Sequence, residues 1–335
     1  MRVLDDELGK KSNNLQLIKF TASILVIVSH AFALTGSGRD WFGRLTDGKF
    51  SLGALAVYIF FFFSGLLVTK SMFRTKTAER YFRLRINRIM PPLFLAVFLC
   101  VAGGAFLTTF SIADYITDIR TWTYFGNAVF ILQHSLPGVF EENIYGSAVN
   151  GSLWTMPVEV LCYVGCFAAY KWKLLQGRYM FFLTGLMIGV TVAGKIFLER
   201  LGMFLPAAAL CPCCFFVIGM AFYVYRERIV LSSKCAVMCI GIITISMIFQ
   251  GVGGSLIMLI FLPYLLAYMA FAKWQCPEKI AKPGKYSYTI YLCAFPIQQT
   301  LVSVHGGDMG LVENMILSIF MSVIVGAVLA KFSNF

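Results

Sequence analysis

The chain has 335 residues, of which 59% are hydrophobic and only 13% are charged. Because water-soluble domains carry about a quarter charged residues, this composition excludes an ordinary soluble protein. The formal net charge is +12. The Lys and Arg residues form short clusters between apolar stretches, which is typical of the cytoplasmic loops of membrane proteins and does not favour nucleic acid as a partner.

Apolar stretches long enough to cross a bilayer recur along the whole chain. They predict an all-α, polytopic integral membrane protein with about ten transmembrane helices, built as one membrane domain over 1–335 without a soluble second domain. The apolar run NAVFILQ within 111–152 is too short to span, so this segment is predicted to be re-entrant or to lie at the surface. The predicted spans are 15–35, 51–69, 91–110, 153–170, 179–198, 204–224, 235–250, 254–272, 286–304 and 314–331.

The basic clusters also predict the orientation of the chain. An even number of spans places both termini on the same side of the membrane, and the loops on that side carry most of the Lys and Arg residues. Positively charged loops stay in the cytoplasm, so both termini are predicted to be cytoplasmic. If NAVFILQ crossed the membrane as an eleventh span, the later basic loops would lie on the outer side and the charge asymmetry would weaken. The charges therefore support ten spans over eleven.

The first predicted span carries two ionisable residues, Lys19 near its cytoplasmic end and His30 well inside the bilayer. At about 100° per residue the two positions lie within roughly 20° on one face of a helix, about 16 Å apart along its axis. An ionisable side chain at such a depth is costly and is a functional candidate. The alternative is a histidine whose hydrogen bonds are satisfied by a neighbouring helix.

Glu159 lies near the outer end of the fourth predicted span, at a depth similar to that of His30. A carboxylate beside an imidazole orients the ring and raises its basicity, which is the arrangement that a general base requires. We therefore predict that His30 and Glu159 are catalytic residues. The alternative is a structural ion pair between Glu159 and a cation such as Lys195.

The segment KSMFRTKTAERYFRLRINRIMPPL, between the second and third predicted spans, is rich in Arg. Arg85 and Arg88 share a face if this segment is helical, and guanidinium groups suit bidentate contact with phosphate. Two interpretations stay open, a site for a phosphorylated donor that arrives from the cytosol and an anchor to anionic lipid. Pro91 and Pro92 predict that the third span starts at this point.

The chain has ten cysteines, and most of them lie within apolar stretches. The sequence CPCC at 211–214 has the spacing of a metal-binding pattern, but no His or acidic residue lies nearby in the sequence. Because Cys is a common small buried residue, we predict packing there and no metal site.

Five motifs, in their order and spacing, resemble those of the membrane-bound acyltransferase 3 family of bacterial sugar O-acyltransferases. The motifs are KFTASILVIVSH, FFFSGLLVTKS, FRLRINRIMPP, GSLWTMPVEVLCY and GKYSYTIYLCAFPIQQ, and the resemblance covers nearly the whole chain. It implies transfer of an acyl group, usually acetyl, from cytoplasmic acetyl-CoA or another acyl-CoA. The implied acceptor is a hydroxyl of a cell-envelope glycan, such as O-antigen or exopolysaccharide, or of its lipid-linked precursor. The implied location is the bacterial cytoplasmic (inner) membrane.

The resemblance also implies roles for individual residues. His30 corresponds to the catalytic base or acyl-relay residue, and Glu159 corresponds to the acid of the fourth-span motif. The arginine pair of the basic segment corresponds to the donor-binding arginines, so the resemblance favours an acyl-CoA site there. For Ser287, Tyr288 and Tyr291, core packing is the alternative to a place in the acceptor site. The predicted acyl-CoA site comprises Lys19, Arg83, Arg85 and Arg88, and the predicted lining of the acceptor site comprises Trp154, Ser287, Tyr288 and Tyr291.

One position departs from the pattern of the family. Many relatives carry a His after YL-x near the C-terminus, whereas this chain has Ala294. A mechanism that needs a second imidazole there is therefore not expected, and acyl-CoA is expected as a co-substrate with no permanently bound cofactor. The alternative function is a transporter or flippase for a glycan precursor, since a helical bundle with buried ionisable groups suits it as well.

Overall fold

The computed structural model describes residues 2–10, 13–248 and 252–333. Within these residues the regular secondary structure is helical, with one isolated antiparallel bridge between Val3 and Val230, which confirms the predicted all-α class. The chain divides into two compact units, each assembled from three separate segments. Unit 1 comprises Met1–Lys19, Leu55–Tyr81 and Val158–Lys282, and unit 2 comprises Phe20–Ala54, Phe82–Pro157 and Pro283–Phe335.

The described residues form fifteen α-helices and three short 3-10 helices. The 3-10 helices are Tyr124–Val129, Gly151–Trp154 and Lys282–Tyr286. The α-helices are α1 (Leu4–Leu8), α2 (Leu15–Leu34), α3 (Trp41–Leu45), α4 (Leu52–Thr75), α5 (Ala78–Leu107), α6 (Ile112–Thr117), α7 (Ile119–Thr123), α8 (Thr155–Lys171), α9 (Gly177–Arg200), α10 (Phe204–Val224), α11 (Ser233–Ile248), α12 (Val252–Ala270), α13 (Glu278–Ala281), α14 (Ser287–Val304) and α15 (Leu311–Phe332).

Seven helical segments within the described residues are long and apolar enough to cross a membrane. They are α2, α4, α5, α8 with the 3-10 turn before it, α9, α10 and α15. The three other predicted spans correspond to α11, α12 and α14, of which α11 and α12 are shorter apolar helices. Residues 249–250 of the predicted span 235–250 lie outside the described residues. The total of ten spans stays a prediction.

The third predicted span starts earlier than its prolines indicate. Lys76 takes a left-handed conformation with a φ of 59° and separates α4 from α5, which begins at Ala78. Pro91 and Pro92 lie inside α5, so the predicted start at these residues is wrong. The fixed φ of proline is compatible with a helix, and transmembrane helices tolerate the missing amide donors when neighbouring groups satisfy the freed carbonyls. The arginines from Arg80 to Arg88 therefore all lie on one helix.

The segment 111–152 contains no long helix. It holds α6, α7 and two 3-10 turns, and NAVFILQ spans the end of the first of these turns. Phe130, within this run, has a φ of 68° and ends the turn in the left-handed region. Large apolar side chains such as Ile119 and Trp122 are exposed on this segment, as suits contact with lipid or headgroups. Whether the segment is re-entrant or lies at the surface stays a prediction.

Helices α4 and α10 of unit 1 approach each other closely at two glycines. A Cβ atom at Gly65 would overlap the main-chain carbonyl of Phe216, and one at Gly219 would overlap that of Phe62. Small residues let transmembrane helices pack backbone against backbone, where van der Waals contact holds them together. The FFFSG sequence thus forms the tightest part of a helix crossing.

The N-terminal segment of unit 1 is held by a buried carboxylate. Glu7 accepts hydrogen bonds from Arg2 at 3.1 Å and from Lys10 at 2.8 Å. Burial alone would raise the pKa of Glu7, but the hydrogen bonds from Lys10 and Arg2 and their charges together hold it below its usual value. Lys70 of the basic segment donates to the carbonyl of Leu8 at 2.6 Å, which gives this cation a structural role.

Helices α14 and α15 form the centre of unit 2. Gly326 on α15 lets the two backbones approach, because a Cβ atom there would lie 2.9 Å from the backbone nitrogen of Ile290. The hydroxyl of Thr289 donates to the carbonyl of Gly326 at 2.7 Å and fixes this contact. Helix α2 packs on the same centre, where Ile27 meets Ile290 and Ala294.

Candidate functional site

The candidate site is built around His30, which lies on α2 in unit 2. Its ring atom Nδ1 is buried and has no hydrogen-bond partner among the residues that the structure describes. The ring contacts Phe295 on α14 edge to face, with the ring centroids 5.1 Å apart. Gly151 leaves space for Phe295, since a Cβ atom there would lie 2.7 Å from Cε2 of that ring. A neighbouring helix therefore packs against the imidazole without satisfying Nδ1 within the described part of the chain.

Buried amides fix α2 one turn before His30. Nε2 of Gln298 donates to the carbonyl of Ile27 at 2.9 Å and to Oδ1 of Asn314 at 3.0 Å. Both amide side chains belong to residues with no solvent exposure. Hydrogen bonds between polar side chains inside helix bundles of membranes contribute about 0.6–2 kcal/mol each. This network sets the register of α2 against α14 and α15, and with it the height of the imidazole.

A buried carboxylate holds the C-terminal end of the same helix. Asp40 accepts hydrogen bonds from the hydroxyl of Ser29 at 2.5 Å and from the backbone N–H groups of Gly43 at 2.7 Å and Leu52 at 2.9 Å. It thereby caps α3 and the start of α4, and it binds the residue directly before His30. The connection between α2 and α4 is thus anchored beside the imidazole.

The 3-10 turn that precedes α8 packs against α14. The amide of Asn150 donates to the carbonyl of Leu292 at 2.8 Å. The hydroxyl of Tyr291 donates to the carbonyl of Ser152 at 3.0 Å and lies 2.9 Å from the hydroxyl of Thr155. Tyr291, one of the predicted lining residues, is buried and holds this turn in place.

The other predicted lining residues also lie in unit 2. The hydroxyl of Ser287 donates to the carbonyl of Gly284 at 2.7 Å, so it stabilises the start of α14. The hydroxyl of Tyr288 donates to the carbonyl of Ile89 on α5 at 3.2 Å. Trp154 ends the 3-10 turn and is half-buried. Their contact with an acceptor stays a prediction.

Glu159 lies on α8 in unit 1. Its Oε1 accepts hydrogen bonds from the hydroxyl of Ser64 at 3.3 Å and from that of Tyr163. Lys195, the cation considered as its structural partner, instead forms an ion pair with Glu199 at 3.8 Å. The pairing of Glu159 with the imidazole stays a prediction, since His30 belongs to unit 2.

The predicted acyl-CoA residues divide between the units in the same way. Arg83, Arg85 and Arg88 lie on α5 in unit 2, whereas Lys19 is half-buried in the first half of α2 and belongs to unit 1. The helix places Arg85 and Arg88 one turn apart, as their spacing predicts. Arg85 is buried, and its neighbours Arg83 and Arg88 are exposed. Unit 2 therefore contains both His30 and the three arginines.

The position that carries His in many relatives is closed in this protein. Ala294 has no solvent exposure and packs with Ile27 and Ile290 in a small core cluster. An imidazole at this position would need space that the side chains of α2 occupy. Unit 2 holds three histidines. His30 lies inside a helix long enough to span a membrane, whereas His134 and His305 are exposed.

Three residues that build the site are missing from the sequence-based prediction. Asp40 precedes WFGRL in the pattern of a helix N-cap, so a local signal exists. Gln298 and Asn314 are amides within predicted spans, and polar groups at such positions mark hydrogen-bonded contacts or functional sites. Gln298 donates to Ile27, which lies 271 residues away in the sequence, so the pattern alone does not identify this contact.

Comparisons with known proteins agree with the family resemblance of the sequence motifs. The family described as an acyltransferase domain, acyltransferase 3, matches residues 12–331. An O-acetyl transferase of Shigella phage Sf6 is 28% identical over 315 residues, which cover 92% of this chain and 90% of that protein. Nodulation protein 10 of Rhizobium leguminosarum bv. viciae is 31% identical over 159 residues, which cover 45% of this chain and 42% of that protein. No solved structure matches.

Proposed function

The chain belongs to the acyltransferase 3 family, as its motifs predict, and on this premise we propose that it transfers an acyl group, in the simplest case acetyl, from acyl-CoA to a hydroxyl group. The acceptor is a cell-envelope glycan, such as O-antigen or exopolysaccharide, or its lipid-linked precursor. The protein acts in the bacterial cytoplasmic membrane with both termini in the cytoplasm, where acyl-CoA is available. The positions of the Lys and Arg clusters support this orientation.

One observation carries the proposal, an imidazole inside a membrane helix with a buried ring nitrogen that lacks a partner among the described residues. In the proposed reaction His30 accepts the proton of the acceptor hydroxyl while the oxygen of that hydroxyl attacks the thioester carbonyl. The C–S bond then breaks, and the CoA sulfur leaves with the proton that the imidazolium returns. The alternative is transfer through an acyl-histidine: an imidazole nitrogen of His30 attacks the thioester carbonyl and the CoA thiol leaves, and the acceptor oxygen then takes the acyl group as the carbon–nitrogen bond breaks.

The arginines of α5 are proposed to bind the phosphates of acyl-CoA. Replacing both Arg85 and Arg88 with Gln will raise the KM for acetyl-CoA by at least about tenfold, because each charge-assisted contact contributes about 1.5–3 kcal/mol. The turnover number will change less, since these contacts are made in the ground state as well as in the transition state. The KM is measured from release of the CoA thiol by purified protein in lipid nanodiscs.

The matched control removes two cations of the same basic segment outside the predicted site. Arg74 and Lys76 are exposed at the end of α4, so their double replacement with Gln changes the net charge equally. We expect this control to keep the wild-type KM within about twofold. An equal rise of the KM for acetyl-CoA in both double variants, or no rise in either, would show that the basic segment does not bind acyl-CoA and would favour an anchor to anionic lipid.

A cavity in unit 2 supports a lipid-linked form of the acceptor. It has a volume of about 200 Å³ and lies between α5, α14 and α15. Its lining is almost entirely apolar and includes Gly103, Leu292, Pro296 and Val325. Because α5 and α15 are long enough to cross the membrane, the cavity suits the hydrocarbon chain of a glycan carrier.

Filling this cavity tests the lipid-linked acceptor. Gly103→Leu adds a side chain where a Cβ atom meets no neighbour within 4 Å, so the helix itself is not strained. We expect the KM for lipid-linked glycan to rise about tenfold while the KM for delipidated glycan stays unchanged. Gly185→Leu on α9, also in open space, is the control. An equal effect of Gly103→Leu on both acceptors would contradict use of the cavity by a carrier chain.

The proposed function is tested on the surface glycans of cells that express the protein or carry an empty vector. Mass spectrometry before and after mild base will show a base-labile acetyl increment only with the protein. The transporter alternative predicts movement of a glycan precursor with no such increment and no dependence on acetyl-CoA. Absence of any base-labile acyl increment, together with precursor transport by the purified protein, would overturn the proposal.

A further inference from the structure

A buried hydroxyl next to the candidate site has no assigned role. Ser152 lies in the 3-10 turn before α8 and is 1% exposed. Its Oγ is buried and makes no hydrogen bond within the part of the chain that the structure describes. Leaving a hydroxyl buried without a partner costs about 1–3 kcal/mol, so such a group in a native site calls for an explanation.

The backbone around this hydroxyl is held firmly. The N–H of Ser152 donates to Oδ1 of Asn150 at 3.1 Å. Its carbonyl accepts hydrogen bonds from Tyr291 at 3.0 Å and from Thr155 at 3.2 Å. The main chain of this residue is thus fixed from both sides while its side chain stays unpaired. A hydroxyl on a fixed backbone and without a protein partner among the described residues is preorganised to donate a hydrogen bond to a bound ligand.

The same turn is joined to the imidazole by one aromatic ring. Phe295 contacts the ring of His30 on one side, with a centroid distance of 5.1 Å. It also packs against Gly151, the residue directly before Ser152, where an added Cβ atom would lie 2.7 Å from Cε2 of the ring and force a shift. The ring of Phe295 therefore contacts both His30 and the residue next to Ser152. His30 and Ser152 each carry a buried polar atom without a partner in the described chain, Nδ1 and Oγ respectively.

We propose that Ser152 is a catalytic residue that donates a hydrogen bond to the oxygen of the acyl carbonyl. The inference rests on the proposed acyl transfer. As the acceptor oxygen bonds to the carbonyl carbon, the carbonyl oxygen becomes an oxyanion, and the O–H of Ser152 stabilises this charge. When the C–S bond breaks, the carbonyl re-forms and the hydrogen bond weakens. A donor that acts mainly on the oxyanion lowers the barrier of the chemical step rather than the KM.

The test is the steady-state kinetics of Ser152→Ala in lipid nanodiscs, with acetyl-CoA as donor and a cell-envelope glycan extract as acceptor. We expect kcat to fall about 10²–10³-fold, as for the loss of one oxyanion donor, with the KM for acetyl-CoA unchanged within about twofold. The melting temperature will be unchanged or higher, because the lost hydroxyl has no partner among the described residues. Ser152→Thr, which keeps the hydroxyl, will retain more activity than Ser152→Ala.

Ser322→Ala is the matched control. Its Oγ is also buried without a hydrogen-bond partner in the described residues, but it lies on α15 and is not joined to the imidazole by Phe295. We expect wild-type kcat for this variant. Wild-type kcat in Ser152→Ala, or a fall in kcat accompanied by a lower melting temperature, would overturn the role of Ser152. A wild-type protein that releases no CoA thiol would overturn the proposed function itself, and this inference with it.

Discussion

Replacing His30 with alanine will lower the rate of acetyl transfer by at least about 10²-fold while the protein still inserts and folds. The imidazole is the group within α2 that can accept the proton of the acceptor hydroxyl, and its Nδ1 makes no hydrogen bond among the described residues. The loss will appear in kcat, because proton transfer takes place only in the transition state. The measurement is release of the CoA thiol by purified protein, with size-exclusion chromatography to verify the fold.

The two other histidines provide the matched controls. His134 and His305 are exposed, and the side chain of His305 interacts with the carbonyl of Leu301 and with Glu313 at the end of α14. Alanine at either position will leave kcat within about twofold of the wild type. If His30→Ala keeps wild-type activity in folded protein, both the general-base reaction and the acyl-histidine alternative are wrong.

Replacing Gly65 with alanine will have the largest effect on stability. A methyl group at this position overlaps the main-chain carbonyl of Phe216, and a backbone carbonyl cannot rotate away as the end of a side chain can. Helices α4 and α10 must therefore separate, which costs about 1–3 kcal/mol or more for a well-packed contact. We expect a lower melting temperature in detergent and less folded protein in the membrane.

The contact is reciprocal, so Gly219→Ala will have a similar effect through the carbonyl of Phe62. The control is Gly189→Ala on α9, where a Cβ atom meets no neighbour within 4 Å. Alanine favours a helix more than glycine by about 1 kcal/mol, so this control will be neutral or stabilising. Equal melting temperatures for Gly65→Ala and Gly189→Ala would show that α4 and α10 do not pack backbone against backbone.

Several features of the fold follow from the local sequence. The apolar runs predict the helices because a membrane helix must satisfy its own backbone and expose apolar side chains to lipid. Helix α10 begins and ends at the predicted residues, Phe204 and Val224. The 3.6-residue period also places Arg85 and Arg88 on one face of α5. Such properties depend on neighbours within a few residues, so they can be predicted from a pattern.

The start of α5 shows the limit of local rules. Pro91 and Pro92 favour a helix start in a water-soluble protein, because their missing N–H groups cost nothing in the first turn. In this protein the helix begins at Ala78 and passes through both prolines. Packing and the demand for backbone hydrogen bonds in a membrane extend helices beyond the point that single-residue preference predicts.

The sequence by itself determined that this is an all-helical membrane protein of the acyltransferase 3 family, and that His30 lies on a membrane-spanning helix. The tertiary structure decided what surrounds the imidazole. Packing brings Phe295 against both the imidazole and Gly151, the neighbour of Ser152, and hydrogen bonding brings Asp40 to Ser29. Hydropathy and helical period are local properties, whereas an unpaired hydroxyl is defined by the neighbours that the folded chain does or does not provide.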